Sequence, residues 1–340
     1  MPTRPLGRHG PQVSAIGFGA MGLSAYYGAV ASDEERFKIL DRAIELGITY
    51  IDSSDIYGDS EELLGKYFQR QPQQRSKVIV ATKFGLATGK NSAKSVRGDA
   101  DFIRESCDKS LKRLGIDSID LYYAHRVDKE TPIEETMEAL KGLIEQGKIK
   151  HIGLCECSSS TVRRAHAVHP LAAVQIEYSP FSLDIEHDDI GLLKTCREFG
   201  ITIFCYSPLG RGILTGRIRS PDDFEEGDFR KFCPRFSKEN FPKNLQLVDT
   251  LSALAKKKAC TTGQLTLAWI LAQGNDFIPI PGTTKVKNLD ENAAAAQIQL
   301  SKDEEAEIRK ACENADIAGG RYPEALSGSL FADTPPPKKN

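Results

Sequence analysis

Asp52, Tyr57, Lys83 and His125 each lie at or just beyond an apolar run that reads as a strand, at residues 48–51, 78–82 and 119–124. A carboxylate, a phenol, an ammonium and an imidazole gathered at strand ends would make a proton-transfer site. A phenol has an ordinary pKa near ~10 and exchanges its proton reluctantly at neutral pH. A lysine ammonium close by lowers that value, and an aspartate behind the lysine keeps it charged despite burial. The tuned phenol can then give a proton to a carbonyl oxygen or take one from an alcohol. A neutral imidazole beside it can hydrogen-bond the same oxygen and fix its direction. Each residue also has a plain structural reading. Asp52-Ser53-Ser54 could cap a helix, Lys83 could snorkel from a rim, and His125 or Tyr57 could simply pack there. Only their complementarity at one end of a fold makes the chemical reading.

The elements that must position them alternate regularly. Strand-like runs at 13–19, 48–51, 78–82, 119–124, 149–154, 173–176, 201–206 and 277–280 are separated by helical periodicities. Ser32-Asp33-Glu34-Glu35 and Thr131-Pro132-Ile133-Glu134 read as capping boxes opening two of those helices, and Gly47 and Gly115 as helix stops. Apolar strands separated by helices imply parallel strands covered on the outside. Eight units without a composition break favour one closed (β/α)8 TIM barrel over an open doubly wound sheet. The open sheet would use Gly17-Phe18-Gly19-Ala20-Met21-Gly22 as a dinucleotide turn; with no clear acidic partner ~20 residues on at a second strand end, these glycines read as a tight turn. Residues 3–7 and 13–16 form an expected N-terminal β-hairpin that plugs one barrel end. The stretch 207–242 is a long loop after strand 7, of a length usual for lids and binding loops. The whole chain, 1–340, reads as a single barrel domain with a core at about 3–317 and an unstructured tail at 333–340.

Composition narrows the partners. Lys and Arg total 45 against 47 Asp and Glu, a net charge of −2 that gives no reason to expect nucleic acid or an anionic membrane. Eight cysteines without a CxxC pair suit free thiols in a reducing compartment, and six histidines without HxxxH spacing give no metal site. The first residues lack the apolar segment of a signal peptide, and no run approaches ~18 apolar residues. A cytoplasmic location is expected, with the nucleus left open.

Gly19-Ala20-Met21, Tyr50-Ile51-Asp52-Ser53-Ser54-Asp55-Ile56-Tyr57-Gly58, Ala81-Thr82-Lys83, Asp120 to Arg126 and Tyr206-Ser207-Pro208-Leu209-Gly210 resemble the signature segments of the aldo-keto reductases. The similarity runs in order over about residues 3–317, nearest to the fungal and plant branch acting on small aldehydes and pyridoxal-like carbonyls. It implies a barrel that reduces aldehydes and ketones to alcohols with NADPH. The family's catalytic residues map onto Asp52, Tyr57, Lys83 and His125, with Tyr57 as general acid. Nucleotide contacts are implied at Gly19, Met21, Asp52, Cys155, Glu156 and Gln175, and at Tyr206 beneath the nicotinamide ring. Others are implied at Ser207, Leu209, Arg211 and Gly212 over the pyrophosphate, and at Ile280, Gly282, Thr283, Thr284, Lys285, Asn288, Glu291 and Asn292 around the adenosine.

This chain departs from the pattern at both nucleotide ends. Cys155-Glu156 stands where many members carry Ser-Asn, and Gly282 and Asn288 stand where many carry cations for the 2′-phosphate. Lys285 and Lys287 could supply that charge. Tyr57, His125, Tyr26, Phe84 and Arg126 are candidate substrate contacts, with Tyr27, Ala124 and Phe181 as further walls. Cys155 and Cys157 are close enough in sequence to suggest redox sensitivity, although buried inert thiols explain them as well. The rival reading from another class is a non-catalytic NADP-binding redox-sensing regulatory subunit. A metal-dependent barrel hydrolase using Asp52 and His125 is a third, poorly supplied with ligands. Oligomeric state has no sequence signal.

Overall fold

The computed structural model describes residues 1–87 and 96–337. Strands β1 (Thr3–Pro5) and β2 (Gln12–Ser14) form an antiparallel hairpin. Eight parallel strands follow: β3 (Phe18–Gly19), β4 (Tyr50–Asp52), β5 (Ile79–Phe84), β6 (Ile119–Ala124), β7 (Ile149–Cys155), β8 (Ala173–Glu177), β9 (Thr202–Tyr206) and β10 (Phe277–Pro279). They pair in chain order, and the ends meet where Gly17 N–H donates to Pro279 O at 2.9 Å and Gly19 N–H to Pro281 O at 3.3 Å. The expected (β/α)8 barrel is therefore what this chain forms. A closed barrel leaves no unpaired edge, which satisfies the backbone groups an open sheet would expose.

The run 13–19 is divided between hairpin and barrel. Ser14 exchanges hydrogen bonds with Thr49, its N–H donating to Thr49 Oγ1 at 2.8 Å and its Oγ accepting from Thr49 N–H at 2.9 Å. Its Oγ also donates to Ile16 O at 2.7 Å, bending the chain before β3. Leu6 and Val13 of the hairpin join Tyr50, Ala81, Leu121, Tyr123, Phe204 and Ile278 in the cluster inside the barrel. Thr202, at the start of β9, bonds Pro5 O and Gly7 N–H, so the hairpin closes the N-terminal end. The opposite, C-terminal end is left as the mouth.

Local signals set most helix boundaries. Ser32 and Glu35 form the expected capping box on helix Asp33–Glu45, and Gly115, at φ 62°, ends helix Ala100–Leu114. The second expected capping box does not form. Pro132 takes the cap position of helix Ile133–Glu145 without a side-chain bond, and Thr131 Oγ1 donates instead to Asp128 at 2.8 Å. The long loop after β9 is built of short 3-10 turns at Gly210–Thr215, Pro221–Asp223, Phe229–Phe232 and Pro234–Phe236. The tail expected to be loose from 333 is tied at its start. Thr161 Oγ1 donates to Asp333 at 3.2 Å, and Arg164 Nη1 donates to Thr334 O at 2.9 Å. Residues 338–340 lie outside the described residues. Among the described residues, no helix is long and apolar enough to cross a membrane.

Candidate active site

Successive strand residues face opposite sides of the barrel wall, so parity decides which can reach the interior. On β4 Tyr50 packs inside and Ile51 outside; Asp52 is therefore an inward residue. On β5 Ala81 is inside, which turns Lys83 inward; on β6 Leu121 and Tyr123 are inside, which aims His125 the same way. Ala173 does this for Gln175 on β8, and Phe204 for Tyr206 on β9. Asp52, Lys83, His125, Gln175 and Tyr206 thus stand at one mouth because of a single periodicity.

The Lys83 ammonium is fully buried, and each of its three protons has an acceptor: Asp52 Oδ1 at 2.5 Å, Ser53 O at 2.8 Å and Tyr57 Oη at 3.4 Å. Burial works against its charge, but the Asp52 carboxylate and Tyr57 outweigh it and hold the pKa above the ordinary lysine value. Asp52 Oδ2 accepts from Gln175 Nε2 at 2.7 Å and from Tyr50 Oη at 3.1 Å. Tyr50 Oη in turn lies 3.1 Å from Tyr123 Oη.

The phenol behaves otherwise than the sequence suggested. Burial raises the Tyr57 pKa above its ordinary value; Lys83 pulls it down, and Asp52 adds to the rise. The ammonium at 3.4 Å does not offset the loss of water around the phenol, so Tyr57 holds its proton through the neutral range. His125 presents its ring edge-on to Tyr57, with centroids 5.7 Å apart, and its Nδ1 lies 3.1 Å from Ser54 Oγ. Burial, then the charges of Lys83 and Arg126, hold its pKa well below the ordinary value, so the imidazole is neutral.

The nucleotide candidates line the same mouth. Gly19 and Gly282 lie on backbones that meet: a Cβ on Gly282 would stand 2.6 Å from Gly19 O, and one on Gly19 2.8 Å from Ile280 O. Met21 opens the short helix Met21–Ser24. Tyr206 Oη donates to Glu156 Oε1 at 2.5 Å, and Arg321 Nη1 donates to the same oxygen at 3.0 Å. The Glu156 carboxylate is thus engaged by Tyr206 and Arg321. Glu156, Ser207 and Arg211 take positive φ angles of 49°, 48° and 56°, and Gly212 follows at 100°. Non-glycine residues in this region are strained, and strain of this kind gathers at functional sites. Leu209 begins that turn. Arg211 lies 3.5 Å from Glu177, and its buried Nη2 has no hydrogen-bond partner among the described residues.

Farther out, helix Val286–Ala294 begins after Lys285 with no side-chain cap, leaving its first N–H groups free for an anion. Gly282, Thr284 and Lys285 beside it are exposed, and Thr283 Oγ1 accepts from Lys285 N–H at 3.1 Å. Ile280 and Asn292 are buried. Asn288 Oδ1 accepts from Arg217 Nη1 at 2.8 Å, while Glu291 is paired with Arg217 and accepts from Thr261 Oγ1 at 2.8 Å.

Of the substrate candidates, Tyr26 sits at the mouth, edge-on to Tyr57 at 6.4 Å and to Phe229 at 6.2 Å. Tyr27 lies under Arg230, 5.0 Å from the guanidinium. Arg126 Nη1 donates to His125 O at 2.7 Å. Phe84 does not reach the pocket: it has outward parity, is fully buried and packs on Tyr122 at 5.0 Å. Ala124 lies in the same outer core, and Phe181 is buried beneath the loop after β9, beside Gly210 and 5.7 Å from the Arg235 guanidinium. The alternation that turns Lys83 inward already required Phe84 to turn out. Cys155 ends β7 inside the barrel, while Cys157, past the turn at Glu156, packs in the outer core; burial pushes the Cys155 thiol up to about 12 and that of Cys157 well above its ordinary value. Both are buried free thiols, and the raised values disfavour the thiolate that would react.

Four further residues stand at the site outside the catalytic and nucleotide positions expected from the sequence: Ser54, Asp55, Arg321 and Tyr322. Ser54 and Asp55 lie between Asp52 and Tyr57, where the sequence offered Ser54 a capping role and Asp55 none. Arg321 and Tyr322 follow Gly319-Gly320 beyond the last barrel helix, yet Tyr322 Oη donates to Tyr206 Oη at 3.3 Å and its ring lies 4.5 Å from the Arg211 guanidinium. The C-terminal segment returns to the mouth, where Ala332 N–H donates to Glu156 O at 3.0 Å.

Comparisons with known proteins agree with this geometry. Residues 15–313 match the model of the Aldo/keto reductase family. The chain is 53% identical over 340 residues to aldo-keto reductase str7 of Strobilurus tenacellus, covering 98% of each. It is 53% identical to aldo-keto reductase yakc [NADP(+)] of Schizosaccharomyces pombe, covering 100% of this chain and 99% of that one. Among solved structures, the glycerol dehydrogenase AKR11B4 of Gluconobacter oxydans superposes with a TM-score of 0.82 at 27% identity over 94% of this chain and 97% of that one. The thermostable aldo-keto reductase Tm1743, solved with the inhibitor epalrestat, superposes with a TM-score of 0.71 at 29% identity over 92% of this chain and 100% of that one. With a closed barrel, a buried Asp52–Lys83–Tyr57 contact at its mouth and these matches along its length, the chain belongs to the aldo/keto reductase family.

Proposed function

We propose that this protein is an NADP-dependent oxidoreductase that reduces aldehydes and ketones to alcohols, with Tyr57 as the proton donor. The observation that carries the reading is the buried Lys83 ammonium, bonded at once to Asp52 and to the Tyr57 hydroxyl. The mouth fits a nicotinamide nucleotide on its own features. Arg211 Nη2 faces Glu177 at 3.5 Å but makes no hydrogen bond, so it keeps N–H donors that a phosphate oxygen would engage. The Gly19–Gly282 approach admits no side chain, and the uncapped helix after Lys285 offers free N–H groups. One relative of S. pombe carries NADP(+) in its name.

A reduced nicotinamide held there would supply the hydride that the carbonyl carbon accepts. Tyr57 keeps its proton through the neutral range and delivers it from Oη to the carbonyl oxygen. Lys83 stabilises the phenolate left behind, and Asp52 keeps Lys83 charged and aimed. Neutral His125 directs the same oxygen, and Tyr26 walls the approach. Glu156 and Tyr322 hold the Tyr206 hydroxyl, so the ring has a fixed plane on which to stack. Lys285, Lys287 and Arg217 are the cations available to a 2′-phosphate.

Single-turnover loss of NADPH absorbance with 4-nitrobenzaldehyde tests the reading. No oxidation of bound NADPH at any aldehyde concentration would reject it in favour of a nucleotide-binding regulatory subunit.

A further inference from the structure

Ser54 has one hydroxyl proton and two neighbours that compete for it. Its Oγ lies 3.1 Å from Asp55 Oδ1 and 3.1 Å from His125 Nδ1, and it accepts from Ile56 N–H at 3.4 Å. A serine hydroxyl donates a single hydrogen bond. The state of Asp55 therefore dictates the rest of the chain. With Asp55 ionised, Ser54 donates to it, and Nδ1 of His125 must carry its own proton toward Ser54. The neutral ring then offers a bare Nε2 to the mouth. With Asp55 protonated, its O–H donates to Ser54, Ser54 donates to Nδ1, and the ring proton moves to Nε2. Only the second arrangement gives a substrate carbonyl oxygen an N–H donor.

We propose that Asp55 is a positioning residue that, through Ser54, selects the His125 tautomer and so decides whether the imidazole donates to or accepts from the substrate oxygen. The catalytic consequence rests on the reductase reading; the tautomer change does not.

The surroundings put this change in the neutral range. Asp55 faces Glu61 from helix Ser60–Arg70, Arg113 from helix Ala100–Leu114, Lys83 from β5 and Tyr122 from β6. Burial and then the Glu61 charge push its carboxyl up to about 7, against the opposing pull of Ser54, Arg113 and Lys83. Glu61 is fixed in place, accepting from Thr82 Oγ1 at 2.6 Å and from Arg113 Nε at 2.6 Å. His125 faces Lys83 and Arg126 and stays neutral throughout, so only the position of its proton changes.

The test follows the ring nitrogens of His125 by long-range proton–nitrogen spectra of the full-length protein with labelled histidine, from about pH 5.5 to about pH 8.5, assigned with His125→Gln. The expected result is an exchange of the two nitrogen shifts with a midpoint near the Asp55 value of about 7. Asp55→Asn does not titrate, so its His125 should hold one tautomer at every pH. In kinetics, kcat/KM for aldehyde reduction by the wild type should fall by at least about tenfold above neutrality, while Asp55→Asn stays flat. Ser54→Ala should remove the midpoint although Asp55 is intact. A single His125 tautomer across the range, or a wild-type midpoint retained in Asp55→Asn, would overturn the proposal. A tautomer exchange without any aldehyde turnover would support the relay and reject the reductase reading.

Discussion

Gln175 donates its side-chain amide to Asp52 Oδ2 at 2.7 Å, across the barrel and 123 residues along the chain. The residue expected to meet the nicotinamide thus also steadies the carboxylate that holds Lys83. Gln175→Leu leaves Asp52 Oδ2 with Tyr50 alone. A stability loss of about 1–3 kcal/mol is expected, read from the urea midpoint, together with weaker NADPH binding by titration. An unchanged midpoint and an unchanged Kd would show that this link carries no weight.

Tyr57→Phe removes the transferable proton and little else. Turnover should drop by about 10²–10⁴ while NADPH affinity stays within about threefold. Because burial holds the phenol above its ordinary pKa, Tyr57 adds no limb near neutrality, and any limb there belongs to another group. A variant that keeps most of its kcat would remove Tyr57 from the role of acid.

Lys83→Met strands the Asp52 carboxylate in a buried site. The single substitution should cost about 3–5 kcal/mol, and adding Asp52→Leu should recover part of that loss, since the pair then leaves together. Chemical denaturation of the two single variants and the double variant measures the coupling. Strict additivity would mean the two charges do not interact.

Stability should depend on pH through two groups of opposite sign. The raised Asp55 value means that the folded state binds the proton more tightly than the unfolded one. Its contribution is present at acid pH and is lost as pH rises from about 4 to about 7. His125 has a depressed value in the fold, so its contribution is present above about pH 6.5 and lost as pH falls below it. Asp55→Asn should therefore raise the thermal midpoint at pH 8 more than at pH 4. An equal shift at both values would contradict the raised Asp55.

The choice of nucleotide should reside in exposed cations. Lys285→Ala should raise KM for NADPH by about tenfold and leave KM for NADH unchanged, because a charged contact of this kind is worth about 1.4 kcal/mol. Arg217→Ala should behave similarly if its pairing with Asn288 and Glu291 yields to the 2′-phosphate. Equal effects on both nucleotides would assign these residues to shape rather than charge recognition.

The barrel and the group Asp52, Tyr57, Lys83 and His125 were legible from alternating strands and the spacing of strand ends. Inward parity follows from a period of two, and it turns residues 52, 83, 125, 175 and 206 toward one mouth. The same rule would have excluded Phe84 and Ala124, which their places at strand ends had suggested as pocket walls. The second capping box failed because the helix starts one residue later than the motif implies, with Pro132, which has no side-chain acceptor, at its cap position.

What depended on the folded chain was the environment of each group. The height of the Tyr57 pKa reflects how much water the barrel mouth excludes, and no spacing encodes that. Glu156 meets Arg321 across 165 residues, and His125 meets Ser54 across 71. Those contacts rest on where the C-terminal segment and the loop after β4 come to lie. By itself, the sequence determined which residues face one mouth, because strand periodicity is local; protonation states and partners were decided by tertiary structure, because desolvation and charge act through space.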